Sequence, residues 1–198
     1  MAPVSEIERR PGASRDAQRN RQRIVDAATR ALTAGPGPVK IETIAQEAGV
    51  GVGTLYRNFP SREALVEEVY RSELTRLCVL ATQLVAEQPP PAAMREWMRR
   101  YQDFVATKHG MAEALRAVIA SGAISSGNTR EQLEVAIAAI LAAGRADGSL
   151  RTDVRPADVS ASMAGIMLTA ADVDQAGRML QLLVDGLLAR PSGRPAGG

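Results

Sequence analysis

The stretch that most constrains this chain lies at residues 39–65, where apolar residues repeat at the helical period and are interrupted at short intervals. Ile41, Ile44, Ala45 and Ala48 recur at three- and four-residue steps, placing one apolar stripe on a short helix. Gly49 follows at once, where a helix end favours a residue that tolerates positive φ. A second short helix is expected over residues 52–59, with Leu55 and Phe59 four apart on its inner side. Gly53, Thr54, Arg57 and Asn58 take the opposite face, and Tyr56 takes the flank. Pro60 stops this helix, and Ser61 is suited to cap the next one. Two short helices joined by a tight glycine-containing turn predict a helix-turn-helix over about residues 40–59.

The second helix of such a unit fits the DNA major groove, which is wide enough to admit one α-helix. Arg57 suits bidentate contact with guanine, and Asn58 suits pairing with adenine or a phosphate. Thr54 offers a hydroxyl or a methyl group. Tyr56 and Arg62 read as phosphate anchors, which fix register without reading sequence. A nucleotide-binding loop is the obvious competitor for the run Gly49-Val50-Gly51-Val52-Gly53. It fails because no strand precedes the run and no Gly-Lys-Ser/Thr follows.

Residues 49–65, Gly-Val-Gly-Val-Gly-Thr-Leu-Tyr-Arg-Asn-Phe-Pro-Ser-Arg-Glu-Ala-Leu, resemble the signature of the tetracycline-repressor (TetR) family of one-component bacterial regulators. The resemblance covers about residues 15–75 closely and is architectural beyond that. It implies that the segment containing Gly53, Thr54, Leu55 and Tyr56 enters the major groove and that Arg62 binds the DNA backbone. The family usually opens the preceding helix with Ser or Thr, whereas this chain has Lys40. That departure implies a charged phosphate contact in place of a hydroxyl cap.

Charge is distributed in keeping with this reading. Residues 1–62 hold ten Lys and Arg against six Asp and Glu, a net of +4; residues 63–198 hold fourteen against sixteen, a net of −2. A basic segment on a faintly acidic body is the footprint of a protein whose one end meets nucleic acid. Residues 1–14 carry Pro3, Pro11 and Gly12 without periodicity and read as a flexible tail whose Arg9, Arg10 and Arg15 suit a neighbouring minor groove, or are simply solvated. A helix is expected from Asp16 to Ala34, burying Ile24, Ala27, Ala28, Ala31 and Leu32, with Arg19, Arg21 and Arg23 placed for phosphates. Gly35-Pro36-Gly37-Pro38 breaks it. Residues 15–62 are thus expected to form a three-helix DNA-binding domain, and residues 63–190 a helical body.

A fourth helix is expected from Arg62 to Glu87, roughly 38 Å long at 1.5 Å per residue, with Val66, Tyr70, Leu74, Leu77, Ala81 and Leu84 along its apolar line. It belongs to both parts and is the natural lever between them. After Gln88-Pro89-Pro90-Pro91, residues 92–108 carry Trp97, Tyr101 and Phe104 on one stripe, half of the six aromatics in the chain, with Met94 and Met98 beside them. Such a stripe is either ordinary core or the wall of a ligand pocket that His109, Met111, Met163 and Met167 would join. Further helices are expected over residues 129–146, from Pro156, and over residues 174–189. The last carries Met179, Leu180, Leu182, Leu183, Val184, Leu187 and Leu188, an apolar set too wide for a helix with one solvent face. A subunit partner is expected to cover the excess, and the resemblance implies the same, two such helices pairing about a two-fold axis. The interface is expected to take Val159, Met163, Met179, Leu180, Leu183, Val184 and Leu187, while residues 191–198 read as a disordered tail.

Other chemistries lack their residues. The single histidine and the single cysteine, Cys78, are too few for a conventional metal site, and no serine is placed as an activated nucleophile beside His109. No cofactor and no catalytic residues are expected. One cysteine, no signal-peptide pattern and no apolar run long enough for a bilayer predict a cytoplasmic protein that does not enter the membrane. The expectation is an all-α protein of about nine helices. It would be a homodimeric transcriptional regulator, most readily a repressor, released from a pseudo-palindromic double-stranded operator by a small-molecule effector. The alternatives are a DNA-binding regulator with no small-molecule ligand and a helical binding module or enzyme that kept the fold.

Overall fold

Helical periodicity broken by proline and glycine becomes, in the computed structural model, nine helices among the described residues, which are 11–33 and 39–189. They are α1 (Pro11–Thr33), α2 (Ile41–Glu47), α3 (Val52–Asn58), α4 (Arg62–Glu87), α5 (Pro90–Gly110), α6 (Ala112–Ala120), α7 (Ser126–Ala146), α8 (Pro156–Thr169) and α9 (Val173–Leu187). The expectations for Arg9, Arg10, the break at 35–38 and the segment 191–198 lie outside the described residues.

α7 begins at Ser126 where its periodicity predicts 129, and two helices that open on proline also begin early. α1 opens at Pro11 and not at Asp16, so residues 11–14, assigned to a tail, are helical. α5 opens at Pro90, taking in two of the three prolines expected to form a break. The reason is shared: the first turn of a helix has no intrahelical use for its N–H groups, and proline's fixed φ is already helical. In α5 the amides of Ala92 and Ala93 close the turn on the Pro89 carbonyl at 2.9 and 3.0 Å. The short helix α6 had no sequence expectation; it follows a bend at Met111 and turns Leu115 and Val118 inward.

α4 is the axis of the molecule. Its start packs on α1, and its remainder packs on α5, α6 and α7. Ser61 caps it as expected, its hydroxyl accepting from the Ala64 amide at 3.1 Å. Its buried line of Val66, Tyr70, Leu74, Leu77, Ala81 and Leu84 is the predicted one. Trp97 on α5 is fully buried against it and donates its indole N–H to the Leu77 carbonyl at 2.8 Å, which satisfies the one polar atom of a large apolar group.

The far end of the body is tied by backbone. The Arg151 amide donates to the Leu187 carbonyl and the Ala189 amide to the Ser149 carbonyl, both at 2.9 Å, pairing the α7–α8 loop with the end of α9. Beneath this pairing Leu150 lies on Gly144 of α7, where any Cβ would fall 2.4 Å from its side chain. Glycine is required there by close approach.

Candidate nucleic-acid interface

α2 and α3 are each seven residues long, far below the length at which a helix is stable alone, so tertiary packing must set their orientation. Ile44, Ala45 and Ala48 of α2 and Leu55 of α3, together with Phe59 just beyond it, are buried against Ile24, Ala27 and Ala28 of α1. The turn between the two helices passes through Gly49 at φ +63°, the left-handed conformation expected of that position.

This packing turns the polar side of α3 to solvent. Gly53, Tyr56 and Arg57 are exposed, and Thr54 and Asn58 are half-buried at the edge of the same face. Arg57 lies along its own helix, donating to the Gly53 carbonyl at 3.3 Å and to the Thr54 hydroxyl at 3.1 Å, with its guanidinium in solvent. Arg62 is exposed at the first position of α4. Lys40 is exposed at the N-cap of α2 and makes no side-chain capping bond. All seven DNA-contact candidates therefore lie on three neighbouring stretches of one head, at the starts of α2 and α4 and along α3.

Two assignments change with the structure. The Asn58 amide is engaged locally, donating to the Thr54 carbonyl at 2.8 Å, which ties it to the helix backbone. Arg21, placed by sequence among the phosphate contacts, instead reaches inward from α1. It donates to the Asn58 carbonyl at 2.9 Å and to Glu68 of α4 at 2.7 Å, with its guanidinium 4.2 Å from the centre of the Phe59 ring. Only tertiary structure brings these three partners to it, and periodicity carries no such signal. Nearby, Arg76 of α4 pairs with Asp26 of α1 at 2.6 Å. Burial works against the Asp26 charge, but the hydrogen bonds from Arg76 and Gln22 outweigh it and hold this carboxyl below its usual range.

The aromatic stripe on α5 is core. Met94, Trp97, Met98, Tyr101 and Phe104 are all buried, and the rings run on from one to the next: Trp97 to Tyr101 at 6.3 Å, Tyr101 to Phe104 at 6.4 Å, and Phe104 to Tyr70 of α4 at 5.5 Å. Burial pushes the phenols of Tyr70 and Tyr101 up, and Tyr70 shares a 2.9 Å hydrogen bond with Thr129 of α7. Of the ligand-pocket candidates, Met98 borders a groove of about 440 Å³ between α5 and α9, and Phe104 borders one of about 420 Å³ between α4 and α5. Met163 is buried in the core, Met167 is half-buried, and His109 is exposed. No single groove described gathers the set. The α5–α9 groove is walled instead by Arg95, Glu96, Arg99, Gln102 and Gln181 around Met98, Leu180 and Val184. Hydrogen bonding from Arg99 holds the Glu96 carboxyl down at about 2, against a burial penalty and with further help from Arg100.

The expected interface residues also divide by direction. Val159, Met163, Leu180, Val184 and Leu187 are almost wholly covered within one protomer, so they hold α8 and α9 onto the core. Met179 and Leu183 are half-buried. The large apolar residues that α8 and α9 leave in solvent are Leu168, 85% exposed, and Val173 and Leu182, each 70% exposed. The excess apolar width predicted for the last helix is real, but a different subset of residues faces outward. Among the described residues no group of His, Cys, Asp and Glu is arranged to hold a metal, and no helix is long and apolar enough to cross a membrane.

Comparison with known proteins supports the same two-part reading. Residues 24–69 match the family model described as bacterial regulatory proteins of the tetR family. Residues 89–189 match the model described as the C-terminal domain of SbtR-like transcriptional regulators. Among curated proteins none matches the chain. Among solved structures, a TetR transcriptional regulator of Streptomyces coelicolor, SCO0520, is 46% identical over 86% of this chain and 99% of its own, with a TM-score of 0.77. A TetR regulatory protein of Mycobacterium vanbaalenii is 28% identical over 89% of this chain and 99% of its own, with a TM-score of 0.70. SmeT of Stenotrophomonas maltophilia, the repressor of a multidrug efflux pump, is similar in fold alone: it is 17% identical over 92% of this chain and 96% of its own, with a TM-score of 0.56. A head with the helix-turn-helix geometry, a helical body, and sequence matches to family models over both make this chain a member of the TetR family of transcriptional regulators, DNA-binding proteins and not enzymes.

Proposed function

We propose that the protein is a homodimeric repressor whose α3 reads a pseudo-palindromic operator and whose body binds a small-molecule effector that releases it. The observation that carries the DNA-reading part is the outward side of α3. Gly53 sits in the first turn of α3, has no positive φ, and would meet nothing within 4 Å if it carried a Cβ. Glycine there still carries the backbone-entropy cost of having no side chain, and among the described residues no positive φ or close contact calls for it. Close approach of a partner's backbone does, and the neighbouring Arg57, Thr54 and Tyr56 have the chemistry of a base and phosphate reader.

Dimerisation is supported by Leu168, Val173 and Leu182, which lie on α8 and α9, the two helices that the family pairs across a two-fold axis. Two-fold symmetry then dictates two half-sites. The effector part is supported by the α5–α9 groove, whose volume of about 440 Å³ is that of a small-molecule site. Regulation without a small molecule is the second reading, and the observation in its favour is the closed packing of Trp97 and Met94, both 0% exposed.

The test is selection of duplexes from a random-sequence pool, followed by footprinting and light scattering of the complex. An enriched site with two symmetric half-sites, bound by two protomers with a steep negative salt slope, is the expected result. Equal weak binding to every duplex would remove the operator-reading role.

A further inference from the structure

We propose that Arg21 is a positioning residue for DNA recognition: from α1 it fixes the C-terminal end of α3 against α4, and it does not touch the phosphate backbone. This rests on α3 being the element that reads DNA. The starting point is the shortness of α3. Its inward anchors, Leu55 and Phe59, are apolar and hold it by contacts that have no preferred direction, so they resist its removal better than its rotation. A directional restraint has to come from hydrogen bonding, and Arg21 supplies one.

The geometry is a three-way junction. One terminal nitrogen of Arg21 donates to the Asn58 carbonyl at 2.9 Å, at the end of α3 where backbone acceptors lack intrahelical partners. A cation there also lies at the favourable end of the helix dipole. The other terminal nitrogen pairs with Glu68, two turns into α4, at 2.7 Å. The guanidinium plane lies 4.2 Å from the centre of the Phe59 ring, between the two helices. A planar fork with several donors can hold a carbonyl and a carboxylate at a fixed angle, which an ammonium cannot do in the same way. A phosphate would have to displace Glu68 from this site, whereas Arg57 and Arg62 face solvent without that competition. The Arg21 side chain is 41% exposed and that of Glu68 35%, so the junction sits at the rim of the head, open to measurement by substitution.

The salt dependence of binding separates positioning from phosphate contact. The probe is the duplex that wild-type protein enriches from a random pool, with an unrelated duplex as the non-specific control. The proteins are wild type, Arg21→Met, Arg21→Lys and Glu68→Gln, each normalised to folded protein by far-UV circular dichroism. Positioning predicts that Arg21→Met loses about tenfold in operator affinity, the scale of a charge-assisted hydrogen bond, with a salt line parallel to wild type and unchanged non-specific binding. It predicts an intermediate loss for Arg21→Lys. It also predicts that Glu68→Gln weakens the operator complex, although removing a carboxylate beside a polyanion would otherwise strengthen it. A salt slope shallower by about 0.9 in Arg21→Met, with Glu68→Gln binding as well as wild type or better, makes Arg21 a phosphate contact and overturns the proposal. Variants that melt earlier but bind like wild type per folded protomer overturn it too, by reducing Arg21 to a stability role. Failure of wild type to enrich any sequence is a different result, because it removes the operator-reading function on which the inference stands.

Discussion

The head and the body of this protein are built from the same material and differ in what they leave outside. Both bury small aliphatic residues between helices, Ala27, Ala28 and Ala45 in the head and Ala81, Ala93 and Ala136 in the body. In the head the starts of α2 and α4 and the outer side of α3 expose Lys40, Tyr56, Arg57 and Arg62, with Gly53 among them. At the end of the body, among charged and polar side chains, the large apolar residues Leu168, Val173 and Leu182 stay in solvent. The head holds its helices together with directional contacts such as Arg21 to Asn58 and Arg76 to Asp26, while the α5 side of the body rests on a continuous run of rings. The lesson is that the interiors say little about function. One surface presents cationic and polar groups, the other large apolar ones.

The sharpest way to break this contrast is in the core. Trp97→Ala removes a fully buried indole and its hydrogen bond to Leu77, and is expected to cost about 3–5 kcal/mol in urea or guanidinium unfolding. If the region is core alone, operator affinity per folded molecule stays the same. Next in size is the apolar end face. Leu168→Asp with Leu182→Asp is expected to yield a monomer by light scattering, since burying each leucine contributes about 1.5–3 kcal/mol to association. Unchanged mass would move the interface elsewhere. In the head, Arg57→Ala is expected to cost about 1–3 kcal/mol in operator binding and to relax one operator position while leaving the melting temperature in place. A uniform loss across sequences would reassign Arg57 to the backbone.

The smallest expected effect concerns Glu96, which stands among arginines in the α5–α9 groove. Its folded-state value of about 2 lies below its ordinary 4.5, so its ionised form is favoured by folding. The stabilisation is complete above the unfolded value and is lost as pH falls from about 4.5 to about 2. Glu96→Gln should therefore lower the melting temperature slightly at neutral pH, leave it unchanged at the acid end where Glu96 is protonated anyway, and so flatten the limb between; the effect is small because the cluster is solvent-screened. An unchanged acid limb would remove the ion cluster as a contributor.

Much of the architecture was legible from residue spacing. The Gly49 turn, the Ser61 cap, the inward Leu55 and Phe59 and the whole apolar line of α4 are local consequences of periodicity and of which residues tolerate a given backbone. The helix starts at Pro11 and Pro90 were misplaced because proline reads as a break even where the first turn accepts it. Direction within a wide apolar set was legible only in part. Leu180 falls on the stripe of Ala176, Val184 and Leu187 and Leu182 on the other side of α9, but which helix covers that stripe is decided by the packing of α5 and α8.

By itself, then, the sequence determined the class of the protein: an all-helical chain, a basic head, and the outward chemistry of α3, all of which depend on residues within one or two turns of each other. Tertiary structure alone decided which arginines face solvent and which stitch helices together, whether the aromatic stripe closes on α4 or lines a groove, and which leucines stay in solvent. Those outcomes depend on contacts between residues far apart in the chain, such as Arg21 with Glu68 or Trp97 with Leu77. A helical period fixes a side chain's angle around its own axis, and only the neighbouring helix turns that angle into an inside or an outside.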